Sequence, residues 1–106
     1  MKADVKKPKR ADKKFDAVLS TPDGRQRTVS FGAAGYSDYT QHKDPERKRA
    51  YEARHKATED WSDPTTAGFW AKHLLWNKPG LKASAADIAR KFKMRVALKL
   101  ARSRGS

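Results

Sequence analysis

The sequence predicts an α+β fold in which an N-terminal β-hairpin packs on about three helices, with basic N- and C-terminal arms. Three observations carry this prediction: a turn sequence between two alternating apolar runs, an Asp-Pro helix start, and lysines and arginines concentrated at both ends. The length of 106 residues suits one small domain. We expect a disordered basic arm at residues 1–12, the domain at 13–93, and a basic helical extension or tail at 94–106.

The hairpin is predicted for residues 13–31. Phe15, Ala17 and Leu19 alternate with their neighbours, and Val29 and Phe31 repeat the pattern on the return. The intervening TPDG combines a proline that pre-sets the turn with a glycine that tolerates a left-handed backbone. Because a lone hairpin is marginal in water, its apolar face needs helices to cover it.

Three helices are predicted after the hairpin. The first spans about 44–61 and starts at Asp44, a good N-cap that is followed by proline. The second lies within 62–78 and is apolar on almost every side, which is typical of a buried central helix. The third starts at Ser84, which forms a capping box with Asp87, and continues as a basic amphipathic helix. The expected core is Phe15, Leu19, Val29, Phe31, Tyr51, Trp61, Trp70, Leu74, Ile88 and Phe92.

Most of the net charge of +13 lies at the two ends of the chain. Residues 1–14 carry a net +5 and residues 82–106 a net +7, whereas residues 15–81 carry only +1. Two basic ends on a nearly neutral body predict a polyanionic partner. The candidate phosphate-binding residues are Lys6, Lys7, Lys9, Arg10, Lys13, Lys14, Arg90, Lys91, Lys93, Arg95, Lys99, Arg102 and Arg104.

Enzyme and membrane classes find little support in the sequence. The chain has no cysteine, no Gly-rich phosphate loop and neither a GxSxG nor an HExxH motif. His42, Asp44 and His55 are the conceivable metal ligands, but a ββα-metal nuclease needs a histidine at the end of the first strand, where this chain has Leu19-Ser20. We therefore expect no enzymatic activity, no metal and no cofactor. We also expect no membrane span and no secretion, because no apolar run approaches ~20 residues and no apolar stretch follows the basic N-terminus.

The polar segment GYSDYTQHKD, residues 35–44, lies between the predicted hairpin and the first helix. Asp38 can cap a turn, Asp44 caps the helix, and Tyr36 and Tyr39 can pack on the core while their hydroxyls reach polar partners. These local uses predict a joint that sets the angle between hairpin and helix. Direct contact of the segment with a partner is the alternative.

The run VSFGAAGYSDYTQHKDPERKRAYEARHKATEDW, followed by TTAGFWAKHLLWNKP, resembles a family of small basic proteins of unknown function. Members of that family are encoded by large nucleocytoplasmic DNA viruses and by some protists. The resemblance covers about residues 14–92. It implies a viral context, but it names no catalytic or binding residue.

Taken together, these features predict a sequence-nonspecific nucleic-acid-associated protein of a virion or of DNA packaging, in the virion or in the host nucleus or cytoplasm. Its partner would be the phosphate backbone of DNA or RNA, with DNA favoured. The alternative is a minor capsid-associated component whose basic arms anchor on other subunits. Membrane-surface binding by the C-terminal helix is a further alternative.

Overall fold

The computed structural model describes residues 1–100, which form a four-stranded sheet with helices against one face. The strands lie in the order β3-β2-β1-β4, with β1 antiparallel to β2 and parallel to β4. The elements are β1 (Lys2–Lys6), β2 (Lys13–Ser20), β3 (Gln26–Ala33), α1 (Tyr39–His42), α2 (Pro45–His55), α3 (Ala67–Trp70) with a π-helical continuation (Ala71–Leu75), α4 (Leu81–Phe92) and β4 (Arg95–Lys99). The fold is therefore mixed α+β, as predicted, with about four helices.

Strands β2 and β3 pair antiparallel around the TPDG turn. Phe15 stands opposite Phe31, and Gly24 takes the positive φ of 90° that the turn needs. The pair is not the N-terminal element, however, because β1 precedes it and pairs with β2 along its whole length. The predicted hairpin is thus half of a larger sheet, and β1 and β4 complete that sheet.

The prediction of a disordered arm at residues 1–12 is wrong for its first half. β1 occupies an interior position in the sheet, between β2 and β4. Ala3 and Val5 alternate with Lys2, Asp4 and Lys6, and both apolar side chains are fully buried in the core. Two small apolar residues in a basic segment give only a weak strand pattern in the sequence. The strand forms because it pairs with β2 on one side and β4 on the other.

The prediction of a helical extension or tail at 94–106 is also wrong where the structure describes it. α4 ends at Phe92, and Lys93 adopts the left-handed conformation with φ 52° and bonds back to the carbonyl of Ala89. β4 then runs parallel to β1, with Val96 beside Ala3 and Leu98 beside Val5. Residues 101–106 lie outside the described residues.

The first two predicted helices are shorter in the structure, because residues 56–66 form the loop between them. α2 begins after Asp44, whose carboxylate accepts the N–H of Glu46 as predicted, but it ends at His55. α3 starts after Thr66, whose hydroxyl accepts the N–H of Phe69, and the backbone changes to π-helical hydrogen bonding at Ala71.

The predicted capping box at the start of α4 does not form. The helix starts one turn earlier, at Leu81, and Ser84 and Asp87 are buried within it. The Ser84 hydroxyl accepts the N–H of Lys78 at 3.0 Å, and Asp87 accepts a hydrogen bond from Asn77 at 2.8 Å. The bond from Asn77, with Arg90 and Lys91 nearby, holds the pKa of Asp87 well below its usual range. These two side chains therefore fasten the preceding loop to α4.

The core lies between one face of the sheet and the segment from α3 to α4. The all-round apolar segment is buried as predicted, with Phe69, Trp70, Leu74 and Leu75 at most 2% exposed. Phe15 and Phe92 are only partly buried against the core, and Trp61 is half-buried. The buried core consists of Ala3, Val5, Ala17, Leu19, Val29, Phe31, Phe69, Trp70, Leu74, Leu75, Ala85, Ile88 and Met94.

Candidate nucleic-acid interface

The parallel register of β1 and β4 brings the two basic ends of the chain side by side. Lys2 stands beside Arg95, and Lys6 stands beside Lys99. Because Ala3 and Val5 point into the core, alternation places these four cations on the opposite face of the sheet. All four are exposed. The ends predicted to be two separate arms thus form one surface.

This second face, which we call the open face, has a simple composition. It consists of three rows of residues paired across the sheet: Gln26, Ser20, Lys2 and Arg95; Thr28, Val18, Asp4 and Ala97; and Ser30, Asp16, Lys6 and Lys99. In the first and third rows, the β1 and β4 positions hold lysine or arginine. The β2 and β3 positions hold small or polar residues. None of these twelve positions holds an aromatic residue, so the open face offers charge rather than base stacking.

Two carboxylates also stand on the open face, and one of them is used internally. Asp16 is 2% exposed and accepts hydrogen bonds from the N–H of Lys9 at 3.1 Å and from the hydroxyl of Ser30 at 2.7 Å. Asp4 has one buried carboxylate oxygen without a hydrogen-bond partner among the described residues. The four exposed cations outnumber these carboxylates two to one, so the open face is net positive.

The predicted cations of the N-terminal segment separate into distinct environments. Lys7, Lys9 and Arg10 are exposed in the loop from β1 to β2, next to the end of the open face that carries Lys6 and Lys99. Arg10 pairs with Asp12 at 2.9 Å, but both side chains are 62% exposed, so the pair adds little stability. We call residues 7–12 the basic loop.

Lys14 is unavailable for phosphate binding, in contrast to the prediction. Its ammonium contacts the carboxylate of Asp38 at 2.5 Å and the side chain of Gln41 at 2.9 Å, and the side chain is only 13% exposed. Removing it from this buried partner would leave the Asp38 charge uncompensated. Lys14 is therefore a structural residue.

The predicted cations near the C-terminus lie at the end of α4 and on β4. Arg90 and Lys91 bond Asp87, yet their side chains stay 74% and 54% exposed. Lys93 and Arg95 border a depression that also includes Lys2, because the N–H of Arg95 bonds the carbonyl of Met1. Arg102 and Arg104 lie outside the described residues.

The segment 35–44 forms a joint, and one of its tyrosines does not pack. Asp38 caps α1 and, together with Gln41, completes a capping box, while His42 Nδ1 accepts the N–H of Asp44 at 3.0 Å. Tyr39 packs near the His42 ring. Tyr36, expected to pack on the core, is instead 74% exposed.

A cleft of about 530 Å³ opens beside this joint, between the end of the β2–β3 pair and helices α2 and α3. Its lining includes Lys13, Tyr36, Arg47, Arg54 and Gly68. A stack of three rings forms part of its wall. The ring of Tyr51 lies between those of His55 and Trp76, with centroid separations of 4.2 Å and 4.5 Å. Burial raises the pKa of the Tyr51 hydroxyl, which therefore stays neutral.

Residues 1–100 contain neither a metal-binding cluster nor a membrane-spanning helix. In that part of the chain, no three His, Asp or Glu side chains come together as a metal site would require. Nor is any helix there long and apolar enough to cross a membrane. His42 and His55, the conceivable ligands, are used by the backbone of Asp44 and by the carboxylate of Glu59.

Comparison with known proteins finds one family model, described as a family of unknown function (DUF5754), which matches residues 3–55. The match covers half of the chain. The chain belongs to this family. No curated protein and no solved structure matches it. The match includes β1 to β3 and the first two helices, and it starts earlier and ends earlier than the resemblance noted from the sequence. The viral context implied by that resemblance stays a prediction.

Sequence reasoning missed Lys2, Arg47 and Arg54 as candidate binding residues, and it considered Tyr36 only as part of the segment 35–44. The alternation in KADVK contained the signal for Lys2, since it places Lys2 and Lys6 on one face of a strand. Arg47 and Arg54 lie seven apart on one helix face, but the helix predicted over 44–61 has five cations and five carboxylates and so attracted no attention. Only the tertiary structure shows that they border a cleft.

Proposed function

We propose that this protein binds nucleic acid without sequence preference, through the open face of its sheet and the adjoining basic loop. The observation that carries the proposal is the β1–β4 register, which gathers Lys2, Lys6, Arg95 and Lys99 from the two ends of the chain. Lysine and arginine side chains that neutralise phosphates release counterions, and this release drives nonspecific binding.

Protection of a sheet edge does not account for these charges. Charged residues often occupy edge strands, where they discourage pairing with other chains. Arg95 and Lys99 on β4 fit that role, because β4 is an edge strand among the described residues. Lys2 and Lys6 stand on β1, an interior strand whose edges are already paired. Their positions favour an external anionic partner instead.

The shape and chemistry of the open face support backbone binding over base reading. Lys2 and Lys6 lie four residues apart on one strand, which separates them by about 13 Å, and neighbouring strands add cations about 4.8 Å away. Cations spaced in this way can meet phosphates. The open face has no aromatic ring for stacking, and its one amide side chain, Gln26, lies at the far end of a row from Arg95, so the face favours phosphate contacts over base contacts.

The test compares two variants that each remove four positive charges. The open-face variant carries Lys2→Gln, Lys6→Gln, Arg95→Gln and Lys99→Gln. The control variant carries Arg49→Gln, Lys56→Gln, Lys78→Gln and Lys82→Gln, all at exposed positions away from the open face. Binding to two unrelated 20-base-pair DNA duplexes and to an RNA duplex is measured by electrophoretic titration at 50 and 200 mM salt. Circular dichroism verifies that both variants fold.

We expect the open-face variant to lose affinity for both DNA sequences equally, and the control to lose much less. The slope of log affinity against log salt should become shallower by about 0.9 for each lost phosphate contact on duplex DNA. Equal losses in the two variants would show that only net charge matters and would overturn the proposal. Absence of binding by the wild-type protein at low salt would also overturn it, and would direct attention to an acidic protein surface.

A further inference from the structure

The cleft beside the joint adds a feature that the open face lacks, namely an exposed aromatic ring. Tyr36 is 74% exposed at the border of the cleft, whereas Tyr51 and Trp76 are stacked into its wall. An exposed tyrosine gives up the stabilisation that burial would provide. Tyr36 contributes little to the core, so its ring is available to a ligand.

The wall of the cleft is mostly apolar and is built from small side chains. Ala50 on α2 and Ala67, Gly68 and Ala71 on the facing helical segment line it. Gly68 lets the Glu59 side chain pack against this wall, because a Cβ there would lie 3.0 Å from the carboxyl carbon of Glu59. A mostly apolar wall with an aromatic ring at its border suits a flat ligand.

The charges around the cleft suit an anion. The two carboxylates in its lining are already used: Asp38 by Lys14, and Glu59 by His55 and the indole N–H of Trp61. Within residues 1–100, neither Arg47 nor Arg54 pairs with a carboxylate. The two arginines lie seven residues apart on α2, or about 10 Å along the helix, on the same side.

The cleft also adjoins the basic loop, which belongs to the proposed nucleic-acid surface. Lys13 lines the cleft and directly follows the basic loop. The carbonyl of Asp12 accepts the N–H of Ala34 at 3.1 Å, which fixes the end of that loop beside the last residues of β3. A strand lying on the open face could therefore continue past the basic loop into the cleft.

We propose that the cleft takes a nucleotide of a single strand, with its base against Tyr36 and the apolar wall and its phosphates on Arg47 and Arg54. A cleft of about 530 Å³ is within the range of small-ligand sites and suits a nucleotide rather than a duplex. The inference rests on the proposed function, because the ligand belongs to the same polymer. It adds a preference for unpaired strands that the open face alone would not produce.

The experiment uses the full chain and three probes: a 15-nucleotide oligo(dT), the 20-base-pair DNA duplex, and AMP. Tyr36→Ser removes the ring, and Tyr36→Phe keeps it. Arg47→Gln combined with Arg54→Gln removes the cleft charges, and Arg49→Gln combined with Lys56→Gln is the matched control on and just after the same helix. Affinities are measured by fluorescence anisotropy, and AMP contacts are mapped from backbone amide shifts in NMR spectra.

We expect Tyr36→Ser to weaken oligo(dT) binding about tenfold, as for a lost base–aromatic stack, and Tyr36→Phe to bind almost as the wild type does. The Arg47/Arg54 variant should lose more oligo(dT) affinity than its control. Duplex affinity should change less than twofold with Tyr36→Ser. AMP should shift amides around residues 36, 67 and 68.

Two results would overturn the inference alone. One is unchanged oligo(dT) affinity in the Tyr36→Ser and Arg47/Arg54 variants while the open-face variant loses affinity, which would leave the proposed function intact. The other is an equal loss of duplex and oligo(dT) affinity in these variants, which would mean that the cleft contributes only nonspecific charge attraction. If the wild type binds neither polymer, the proposed function fails and the inference about a single strand fails with it, even if AMP shifts the cleft amides.

Discussion

Asp38 shows how a single polar side chain can join two layers of this fold. It is 3% exposed, caps α1 through the N–H of Thr40, and receives the ammonium of Lys14 from β2. A count of charges assigns Lys14 to a phosphate-binding arm, but the structure uses that charge to hold a helix on the sheet. In the same segment Tyr36 remains exposed. Structural and ligand-accessible residues therefore alternate within a few positions, and residue type alone does not separate them.

His73 predicts a loss of stability at mildly acidic pH. Burial lowers its pKa, Lys72 and Lys91 lower it further, and the bond to the carbonyl of Trp61 and the charge of Asp87 only partly oppose this. The unfolded chain therefore takes up a proton near pH 6.5 that the folded protein resists, so stability is complete above that pH and falls below it. Thermal melts between pH 7.5 and 5 should show this fall. His73→Gln keeps a hydrogen-bond donor for the carbonyl of Trp61, and its melting temperature should fall less over this pH range. An equal fall in wild type and variant would contradict the assignment to His73.

The segment after α4 shows how one sequence can fit two elements. Phe92, Val96 and Leu100 recur at helical spacing, while Val96, Leu98 and Leu100 alternate as a strand does. The segment forms a strand because its backbone pairs with β1 and because Lys93, in the left-handed conformation, ends α4. Pairing across the sheet is a tertiary effect, and a helical pattern read locally has no access to it.

The pairing of β4 with β1 is testable without changing any charge. The double variant Val96→Ala and Leu98→Ala removes two half-buried side chains that pack on the core. We expect it to cost about 1–3 kcal/mol of unfolding free energy, measured by urea titration. Ala97→Ser, on the open face of the same strand, is the control and should have little effect. An unchanged urea midpoint in the double variant would mean that this segment does not pack on the core.

At the scale of the whole molecule, one central side chain links the sheet to the helices. Trp70 is fully buried, lies 6.1 Å from the ring of Phe31 and 5.2 Å from that of Phe69, and donates its indole N–H to the carbonyl of Pro64 at 2.7 Å. Its neighbours come from β3, from α3 and from the loop before α3. A small domain has few such contacts, so each one matters for its stability.

Trp70→Ala should destabilise the protein by about 3–5 kcal/mol, because it leaves a large cavity and an unpaired carbonyl. Urea titration followed by circular dichroism measures the loss, and Trp61→Phe at a half-buried position is the comparison. A loss below about 1 kcal/mol for Trp70→Ala would mean that the core lies elsewhere.

The sequence by itself determined those features that depend on neighbours along the chain. The β2–β3 turn, the cap at Asp44, the burial of the apolar segment around Trp70 and the excess of charge at the two ends all follow from residue types at short spacing. Each is decided by backbone preference, local hydrogen bonding or side-chain transfer from water, and these act within a few residues.

Only the tertiary structure decided how the two basic ends are used. Val5 and Leu98 become neighbours although more than ninety residues separate them, and this contact places Lys6 and Lys99 together on the open face. The cleft likewise needs residues from β2, α2 and α3 at once. Parallel pairing of such distant segments depends on contacts that only the folded chain makes, so no local pattern in the chain could reveal it.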